Sequence, residues 1–176
     1  AYASRLLNPI RGLALSPATL VRRLELRPDF PVLEPGPGPG YFSPAVARVV
    51  AAGRLVLVDI QPEMLDMVRA RLDACGLTNI EYRCGDATCL PAESESFDVA
   101  FLASVPGEIP DRGVCLREIR RALRPGGLLS VTESSVWDPD AIPGPELEAL
   151  VQAAGPRARS HHGNLLHDTL GFRETA

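Results

Sequence analysis

Short apolar runs alternate with amphipathic stretches along most of the chain. The predicted strands are residues 31–34, 55–58, 80–84, 97–103 and 128–132. A continuous apolar run of four to eight residues, such as the run at 55–58, is typical of a strand that is covered on both faces. The pattern therefore predicts five strands in a buried sheet.

Segments with helical spacing of apolar residues separate these strands. The predicted helices are residues 17–26, 42–52, 62–75, 111–123 and 145–153. Pro17, Pro62 and Pro145 each stand where a helix begins, and Ser16 is a favourable N-cap. Gly53 and Pro125 stand at or just after two helix ends. These signals agree with the apolar spacing, so the helices are expected between the strands.

Strand–helix alternation repeated five times predicts an α/β fold, with a doubly wound, mostly parallel sheet and helices on both faces. Residues 157–161 and 165–172 predict two further strands, joined around Gly163 and Asn164 as an antiparallel hairpin. We therefore expect a seven-stranded sheet. The length of 176 residues is that of one domain, so residues 1–176 are expected to form a single unit.

Composition narrows the classes of function. The net charge is −4, and no cluster of basic residues is longer than a short pair, so the sequence lacks the basic stripe of a nucleic-acid-binding protein. No apolar run reaches the length of a membrane span, and no signal sequence opens the chain. These features predict a cytoplasmic protein that does not bind membranes.

The cysteines give little sign of chemistry. Cys75, Cys84, Cys89 and Cys115 contain no C-x-x-C pair and have no histidine at ligand spacing. We expect reduced, mostly buried thiols and no metal site. A zinc site or a disulfide framework is the less favoured alternative.

The most informative segment is the loop after the first strand, residues 33–40, which reads LEPGPGPG. Its glycines can take positive φ angles and let a ligand approach closely, while its prolines supply no N–H donors. A phosphate site needs many free N–H groups and no nearby carboxylate. Glu34 lies at the mouth of the loop, so a ligand with a cationic end fits better. Taken alone, the loop leaves both dinucleotide and sulfonium ligands open.

Two further carboxylates follow the next two strands. Asp59 can accept hydrogen bonds from both hydroxyls of a ribose, or it can cap the helix that begins at Pro62. Asp86 can accept a hydrogen bond from an adenine amine, or it can belong to a plain Gly-Asp turn. Because the carboxyl ends of parallel strands share one edge, we expect Glu34, Asp59 and Asp86 to lie together.

The dinucleotide alternative has a specific weakness. The fingerprint of NAD-binding folds is G-x-G-x-x-G, and Tyr41 stands where its third glycine is required. An NAD-dependent oxidoreductase is therefore disfavoured.

Taken together, the motifs resemble those of class I S-adenosylmethionine-dependent methyltransferases. The matching segments are LEPGPGPG at 33–40, LVLVD at 55–59, GDA at 85–87, FDVAFLA at 97–103 and EIRRALRPGG at 118–127. The resemblance covers about residues 30–172 and is strongest to the small-molecule branch, of the kind that acts on quinone precursors and other metabolites. It implies a Rossmann-like fold, S-adenosylmethionine as cofactor and methyl transfer to a small-molecule acceptor.

The resemblance also implies roles at the methionine end of this cofactor. Glu34 would orient its amine, directly or through water. Gly36, Gly38 and Gly40 would form the floor beneath it. The carbonyl of Ala103 would hold its ammonium group.

At the adenosine end, the resemblance implies four contacts. Asp59 would bind the ribose diol, and Ile60 would pack on the adenine face. Asp86 would accept a hydrogen bond from the adenine amine, and Ala87 would donate from its backbone N–H.

The acceptor side carries no such assignment, and no catalytic residue is identified. Residues 104–107 read SVPG, so the [Asp/Asn]-Pro-Pro-aromatic motif of methyltransferases that act on nucleobase or glutamine amines is absent. Residues 1–30 would form a helical lid, as in related enzymes. Weak candidates for acceptor contact are Ser104, Glu108, Glu133, Ser135, Trp137, Tyr2 and Arg11. The alternative function is a non-catalytic S-adenosylmethionine- or nucleotide-binding protein whose site is completed by a partner, for example in a homodimer.

Overall fold

The computed structural model describes residues 15–133 and 142–153 in full, and the backbone of residues 157–164 and 167–173. The strands of its parallel part are β1 (Pro31–Pro35), β2 (Arg54–Asp59), β3 (Ile80–Cys84), β4 (Phe97–Ala103) and β5 (Leu123–Glu133). The helices are α1 (Pro17–Arg23), α2 (Ser43–Val49), α3 (Pro62–Asp73), α4 (Arg112–Ala122) and α5 (Gly144–Ala153). A 3-10 turn, Pro106–Glu108, precedes α4.

The five strands form a parallel sheet in the order β3-β2-β1-β4-β5, which confirms the predicted α/β, Rossmann-like fold. The strand order reverses at β1, where Val32 lies between Leu55 of β2 and Val99 of β4. In open parallel sheets a crevice forms at this switch point, beyond the carboxyl ends of the strands. The fold therefore places a crevice where the glycine loop leaves β1.

Two C-terminal strands, β6 (Arg157–Asn164) and β7 (His167–Arg173), lie beside β5 in the order β5-β7-β6 and run antiparallel. Gly163 and Asn164, which we expected at the turn, instead belong to β6. The reason is that the backbone pairing continues as far as Asn164 opposite His167.

The fifth strand begins earlier than predicted, at Leu123 rather than Leu128. Leu123 pairs with Phe97 and Leu128 pairs with Val99, so residues 124–127 form a bulge in the pairing of β4 with β5. The helix ends at Ala122, one residue before the predicted end, and Leu123 is already extended, so Pro125 and the two glycines after it do not end the helix. The chain stays in the sheet because a bulge accommodates the extra residues.

Apolar side chains fill both faces of the sheet. Along β1, Val32 packs with α2 and α3, whereas Leu33 packs with α4 on the other face. Both are fully buried. This alternation follows from the two-residue period of a strand, and it confirms that helices cover both faces.

The predicted start of α1 is also correct, because the Ser16 hydroxyl accepts a hydrogen bond from the Thr19 N–H at 3.1 Å. Among the described helices, none is long and apolar enough to cross a bilayer.

The prediction of mostly buried thiols is wrong. Cys75, Cys84 and Cys89 are exposed, and Cys115 alone among the four is buried. All four are free thiols. Burial on the inner face of α4 raises the pKa of Cys115 to about 12, with further contributions from Asp86 and Glu118. The exposed three lie at helix and strand ends or in a turn, where apolar periodicity says little about burial.

Candidate functional site at the carboxyl ends of the strands

A cavity of about 490 Å³ opens beyond the carboxyl ends of β1 to β4. Its lining includes eight of the nine residues that the sequence predicted: Glu34, Gly36, Gly38, Asp59, Ile60, Asp86, Ala87 and Ala103. The topology therefore brings together residues that are up to 69 positions apart in the chain. Their roles toward a ligand remain predictions.

Gly40 is the ninth residue, and it does not line this cavity. A Cβ at this position would lie 2.5 Å from Cγ2 of Val68 on α3, and the φ angle is +78°. Gly40 is thus required for the close approach of the loop to α3 rather than for the floor of the pocket. The spacing of the glycines did not distinguish these two requirements.

Gly36 and Gly38 also take the positive φ angles that were predicted, +66° and +52°. A Cβ on Gly36 would lie 2.7 Å from both Cγ atoms of Val105, which follows β4. Val105 itself lines the cavity. A glycine at position 36 is therefore needed for the loops after β1 and β4 to meet.

The N–H groups of the loop glycines are already engaged within the protein. Gly36 donates to the Val58 carbonyl at 2.8 Å, and Gly40 donates to the Pro37 carbonyl at 3.0 Å. The Gly38 N–H donates to the Asp59 carboxylate. Since the intervening prolines have no N–H, this loop is poorly suited to bind a phosphate.

Glu34, at the end of β1, is the most unusual group in the pocket. Its side chain is 3% exposed, and Oε2 has no hydrogen-bond partner. Burial raises the pKa of Glu34 to about 8, although the neighbouring Ser43 hydroxyl acts in the opposite direction. A buried, unsatisfied carboxyl that lines a cavity is suited to a ligand that carries a donor or a positive charge.

Asp59 lies at the end of β2, next to the start of α3 and at the wall of the cavity, and its role toward a ribose stays a prediction. Its Oδ1 accepts the Gln61 N–H at 2.9 Å just before α3 begins, so it does act at the helix start. It also lines the cavity and is 8% exposed. Burial raises the pKa of Asp59, while hydrogen bonds from the N–H groups of Gln61, Gly38 and Ile60 lower it in part.

Asp86 differs from both of these carboxylates because it is exposed. Its Oδ1 accepts the Thr88 N–H at 2.8 Å, which is the geometry of a local turn. Hydrogen bonds from the backbone and side chain of Thr88 lower the pKa of Asp86. The turn interpretation therefore holds, and the same turn lines the cavity.

The segment after β4 forms the part of the cavity wall on the other side of β1 from Asp59 and Asp86. Ser104 has a φ angle of +56°, a conformation that only a few per cent of non-glycine residues adopt, and its N–H donates to the Thr132 carbonyl at 2.8 Å. Ser104 and Glu108, two of the weak candidates, line the cavity. Glu133 does not line it, and its Oε1 accepts the Gly107 N–H at 3.2 Å.

The other acceptor candidates lie outside the described residues. These are Ser135, Trp137, Tyr2 and Arg11. The same holds for residues 1–14 of the expected lid, whereas residues 17–23 of that segment form α1.

Sequence reasoning missed several lining residues, among them Tyr41, Met64, Ile109 and Asp111. Met64 has the spacing of a core residue on α3, and the sequence carries no signal that would have separated the two roles. Asp111 is the first residue of the helix predicted at 111–123, and in the structure it is the N-cap of α4, because its Oδ1 accepts the Val114 N–H at 3.0 Å. The position of Tyr41 at the cavity could have been predicted, since this residue directly follows the last glycine of the loop.

The described lining carries carboxylates and no basic side chain. The carboxylates are Glu34, Asp59, Asp86, Glu108 and Asp111. Such a lining favours a cationic ligand over a polyphosphate. Within the described residues, no cluster of three or more His, Cys, Asp or Glu side chains could hold a metal ion.

Comparison with known proteins agrees with this geometry. The family model described as "Methyltransferase domain" matches residues 33–131. A ubiquinone/menaquinone biosynthesis C-methyltransferase, UbiE of Vibrio vulnificus, is 34% identical over 117 residues, which are 64% of this chain and 45% of that protein. The chain spans less than half the length of the curated relatives that it matches first.

Solved structures show the same fold. A SAM-dependent methyltransferase from Aquifex aeolicus superposes with a TM-score of 0.87 at 21% identity, covering 98% of this chain and 96% of that one. The cyclase SpnF superposes with a TM-score of 0.81 at 20% identity, covering 91% and 80%. The fold is therefore shared by proteins whose described reactions differ.

Proposed function

Because the chain belongs to the methyltransferase domain family, we propose that it binds S-adenosylmethionine and transfers the methyl group to a small-molecule acceptor. The observation that carries this proposal is Glu34, a buried carboxyl with an unsatisfied oxygen at the wall of the cavity. The cofactor carries positive charges on its sulfonium and ammonium groups, so it would supply the positively charged partner that the Glu34 carboxylate lacks. A dinucleotide would place a pyrophosphate on a loop whose glycine N–H groups are already engaged.

The predicted contacts can be assigned to the two ends of the cavity. Glu34, with the Ala103 carbonyl on the facing wall, would hold the amine of the cofactor. Asp59 would accept the ribose hydroxyls, and the exposed Ile60 side chain, 63% accessible, would be covered by the adenine ring. Asp86 and Ala87 would bind the edge of that ring.

When bound, the cofactor would supply an activated methyl group: its positively charged sulfur would keep the electron pair of the carbon–sulfur bond, and the acceptor would give up a proton. Glu34 and Asp59 would hold the two ends of the cofactor so that its methyl group faces the acceptor. The protein contributes chiefly by holding the two reactants in line, which is worth several kcal/mol without a dedicated base.

For the acceptor, we propose a small molecule that is neutral or cationic, with C-methylation of a quinone-like ring as the first candidate. The similarity to UbiE, a C-methyltransferase by its description, supports this candidate. The mixture of Tyr41, Met64 and Ile109 with Glu108 and Asp111 in the lining also supports it, because carboxylates disfavour an anionic acceptor.

The proposal has a direct test. The purified protein is titrated calorimetrically with S-adenosylhomocysteine and with NAD. Binding of the first compound and not of the second is expected, and the reverse result would overturn the proposal. Methyl transfer is then measured with a labelled cofactor on demethylated quinols, with carboxylated analogues as the matched comparison.

The second candidate function is a protein that binds the cofactor without transferring its methyl group. The observation behind this second function is the structural similarity to SpnF, which is described as a cyclase and not as a methyltransferase. Family membership favours the methyltransferase. Binding of S-adenosylhomocysteine without methyl transfer to any acceptor of the tested classes would favour this second function.

The proposal extends to the rest of the chain. We infer a single cytoplasmic domain over residues 1–176 in which residues 1–30 act as a lid, the C-terminal hairpin is the native edge of the sheet, and no nucleic acid is bound. A homodimer is one way to complete the acceptor side, and light scattering of the purified protein measures it. The net charge of −4 supports the exclusion of nucleic acid.

A further inference from the structure

A side-chain cluster on α4 is not explained by the proposed function. Arg121 donates from Nε and Nη2 to the two carboxylate oxygens of Glu118, at 3.1 and 2.9 Å. Its guanidinium also donates to the carbonyls of Ala92 at 2.8 Å and Leu90 at 3.3 Å. One arginine thus joins its own helix to the loop between β3 and β4. Neither Glu118 nor Arg121 lines the cavity.

Glu118 completes this arrangement from the other side. Its Oε2 accepts the Leu90 N–H at 3.1 Å. The pKa of Glu118 is lowered, chiefly by the hydrogen bond from Arg121, so the pair is charged near neutral pH. Both the N–H and the carbonyl of Leu90 are therefore bound by one ion pair.

The segment held in this way touches the adenine end of the cavity. A Cβ on Gly85 would lie 2.8 Å from Cγ of Pro91, so the proline ring lies directly against that glycine. The Arg83 guanidinium donates to the Pro91 carbonyl at 2.7 Å, and the Cys89 N–H donates to the Asp86 carbonyl at 3.0 Å. Residues 85–88 line the cavity.

We propose that Glu118 and Arg121 are positioning residues for the adenine end of the site: they hold residues 90–92, and through Pro91 they fix the turn that carries Asp86. This inference rests on the proposed function only in taking adenine as the group that the turn binds. It gives a role to the segment EIRRALRPGG, which the sequence singled out without assigning it a task.

The geometry requires an arginine. One planar guanidinium reaches five hydrogen-bond acceptors on two segments: both carboxylate oxygens of Glu118, the carbonyls of Leu90 and Ala92, and the Ser94 hydroxyl at 3.3 Å. A lysine ammonium is a single point donor on a flexible stem. Lysine at position 121 keeps the charge but loses the fork that spans Glu118, Leu90 and Ala92. Arg121→Lys therefore separates positioning from charge.

The first test needs no ligand. Hydrogen exchange of residues 85–92 is measured in the free protein for Arg121→Ala, Arg121→Lys and the control Arg117→Ala, which removes an exposed arginine of the same helix. We expect exchange in this segment to accelerate about tenfold or more in both Arg121 variants and to stay unchanged in the control. Unchanged exchange in Arg121→Ala would overturn the inference, whether or not the proposed cofactor binds.

The second test measures how strongly the site discriminates between ligands with and without the adenine amino group. Affinities are compared for S-adenosylhomocysteine and for its analogue without the 6-amino group on the purine. In Arg121→Ala the first affinity is expected to fall severalfold, by no more than in Asp86→Ala, and the second by much less, so discrimination between the two is lost. In an Asp86→Ala background, Arg121→Ala should add less than about twofold, because both changes act through one turn.

Two outcomes contradict the positioning role. One is an equal loss of affinity for both ligands, which indicates general destabilisation. The other is a full, independent effect in the Asp86→Ala background. If Arg121→Ala folds poorly, Glu118→Gln is the second variant, since it keeps an acceptor for the Leu90 N–H and should give an intermediate loss of discrimination. Failure of the wild-type protein to bind S-adenosylhomocysteine would count against the proposed function, not against the exchange result.

Discussion

The two ends of the pocket use carboxylates in opposite ways. At the glycine loop, Glu34 is buried, its Oε2 has no partner, and burial raises its pKa to about 8. Across the pocket, Asp86 is exposed, accepts hydrogen bonds from its own turn, and has a lowered pKa. Both side chains line the same cavity.

The hydrogen bonding of Glu34 is therefore incomplete without a ligand, whereas that of Asp86 is satisfied within the protein. A buried carboxyl without a partner costs the folded protein free energy, and a ligand that supplies a charged donor relieves that cost. An exposed carboxylate with local partners gains little from one more hydrogen bond. Ligand affinity and pH dependence should therefore be concentrated at the Glu34 end, with Asp59 intermediate.

The largest effect is expected on the stability of the free protein. Glu34 binds its proton more tightly when folded, with a pKa of about 8 against an ordinary value of 4.5. Its presence therefore costs little below pH 4.5, and the cost grows as the pH rises to about 8. Glu34→Gln should stabilise the free protein by a few kcal/mol at pH 8 and hardly at pH 5.

Urea unfolding of wild type and Glu34→Gln at pH 5, 6.5 and 8 measures this difference. Asp86→Asn is the matched control, because it makes the same chemical change at the other end of the pocket and should not gain stability as the pH rises. A gap between wild type and Glu34→Gln that does not widen with pH would contradict the burial argument. The raised pKa of Asp59 should leave a residual slope of the same sign in Glu34→Gln.

The next effect concerns Asp59. Asp59→Ala should weaken S-adenosylhomocysteine binding about 100-fold, because it removes charge-assisted hydrogen bonds to the ribose and also the acceptor for loop N–H groups. Asp59→Asn keeps an acceptor for the Gln61 N–H, so its loss should be smaller. Calorimetric titration of both variants gives the values. Equal affinities of wild type and Asp59→Ala would show that Asp59 serves only the start of α3.

A smaller effect is the pH dependence of binding. If the ammonium group of the ligand requires ionised Glu34, the affinity should rise by up to about tenfold per pH unit from pH 6 to 7.5, with release of a proton. Titration in two buffers of different ionisation enthalpy measures that proton directly. In Glu34→Gln the dependence should flatten. A wild-type affinity that is independent of pH would mean that the ligand does not meet Glu34 as a cation.

The same contrast explains which parts of the site could be predicted from the sequence. Glu34 and Asp59 follow apolar runs directly, and strand ends in a parallel sheet share an edge, so their meeting follows from patterning and topology. The role of Gly40 could not be predicted, because its neighbour Val68 is 28 positions away and only packing brings the two together. Met64 was missed since helical spacing is the same for a core face and a pocket wall. Gly163 and Asn164 were misplaced because turn propensity is weaker than continued pairing.

The smallest effect is expected at the exposed end. Asp86→Ala should weaken S-adenosylhomocysteine binding by less than about tenfold, because Asp86 is solvated and already satisfied by Thr88, so the adenine amine adds one exposed hydrogen bond. The affinity of the analogue without the 6-amino group should hardly change. Thr88→Ala is the matched control, because it removes the side chain that assists the turn and leaves the carboxylate. A loss at Asp86 as large as that at Asp59 would show that the turn closes over the ligand, and exposure in the free protein would then be a poor guide to the strength of this contact.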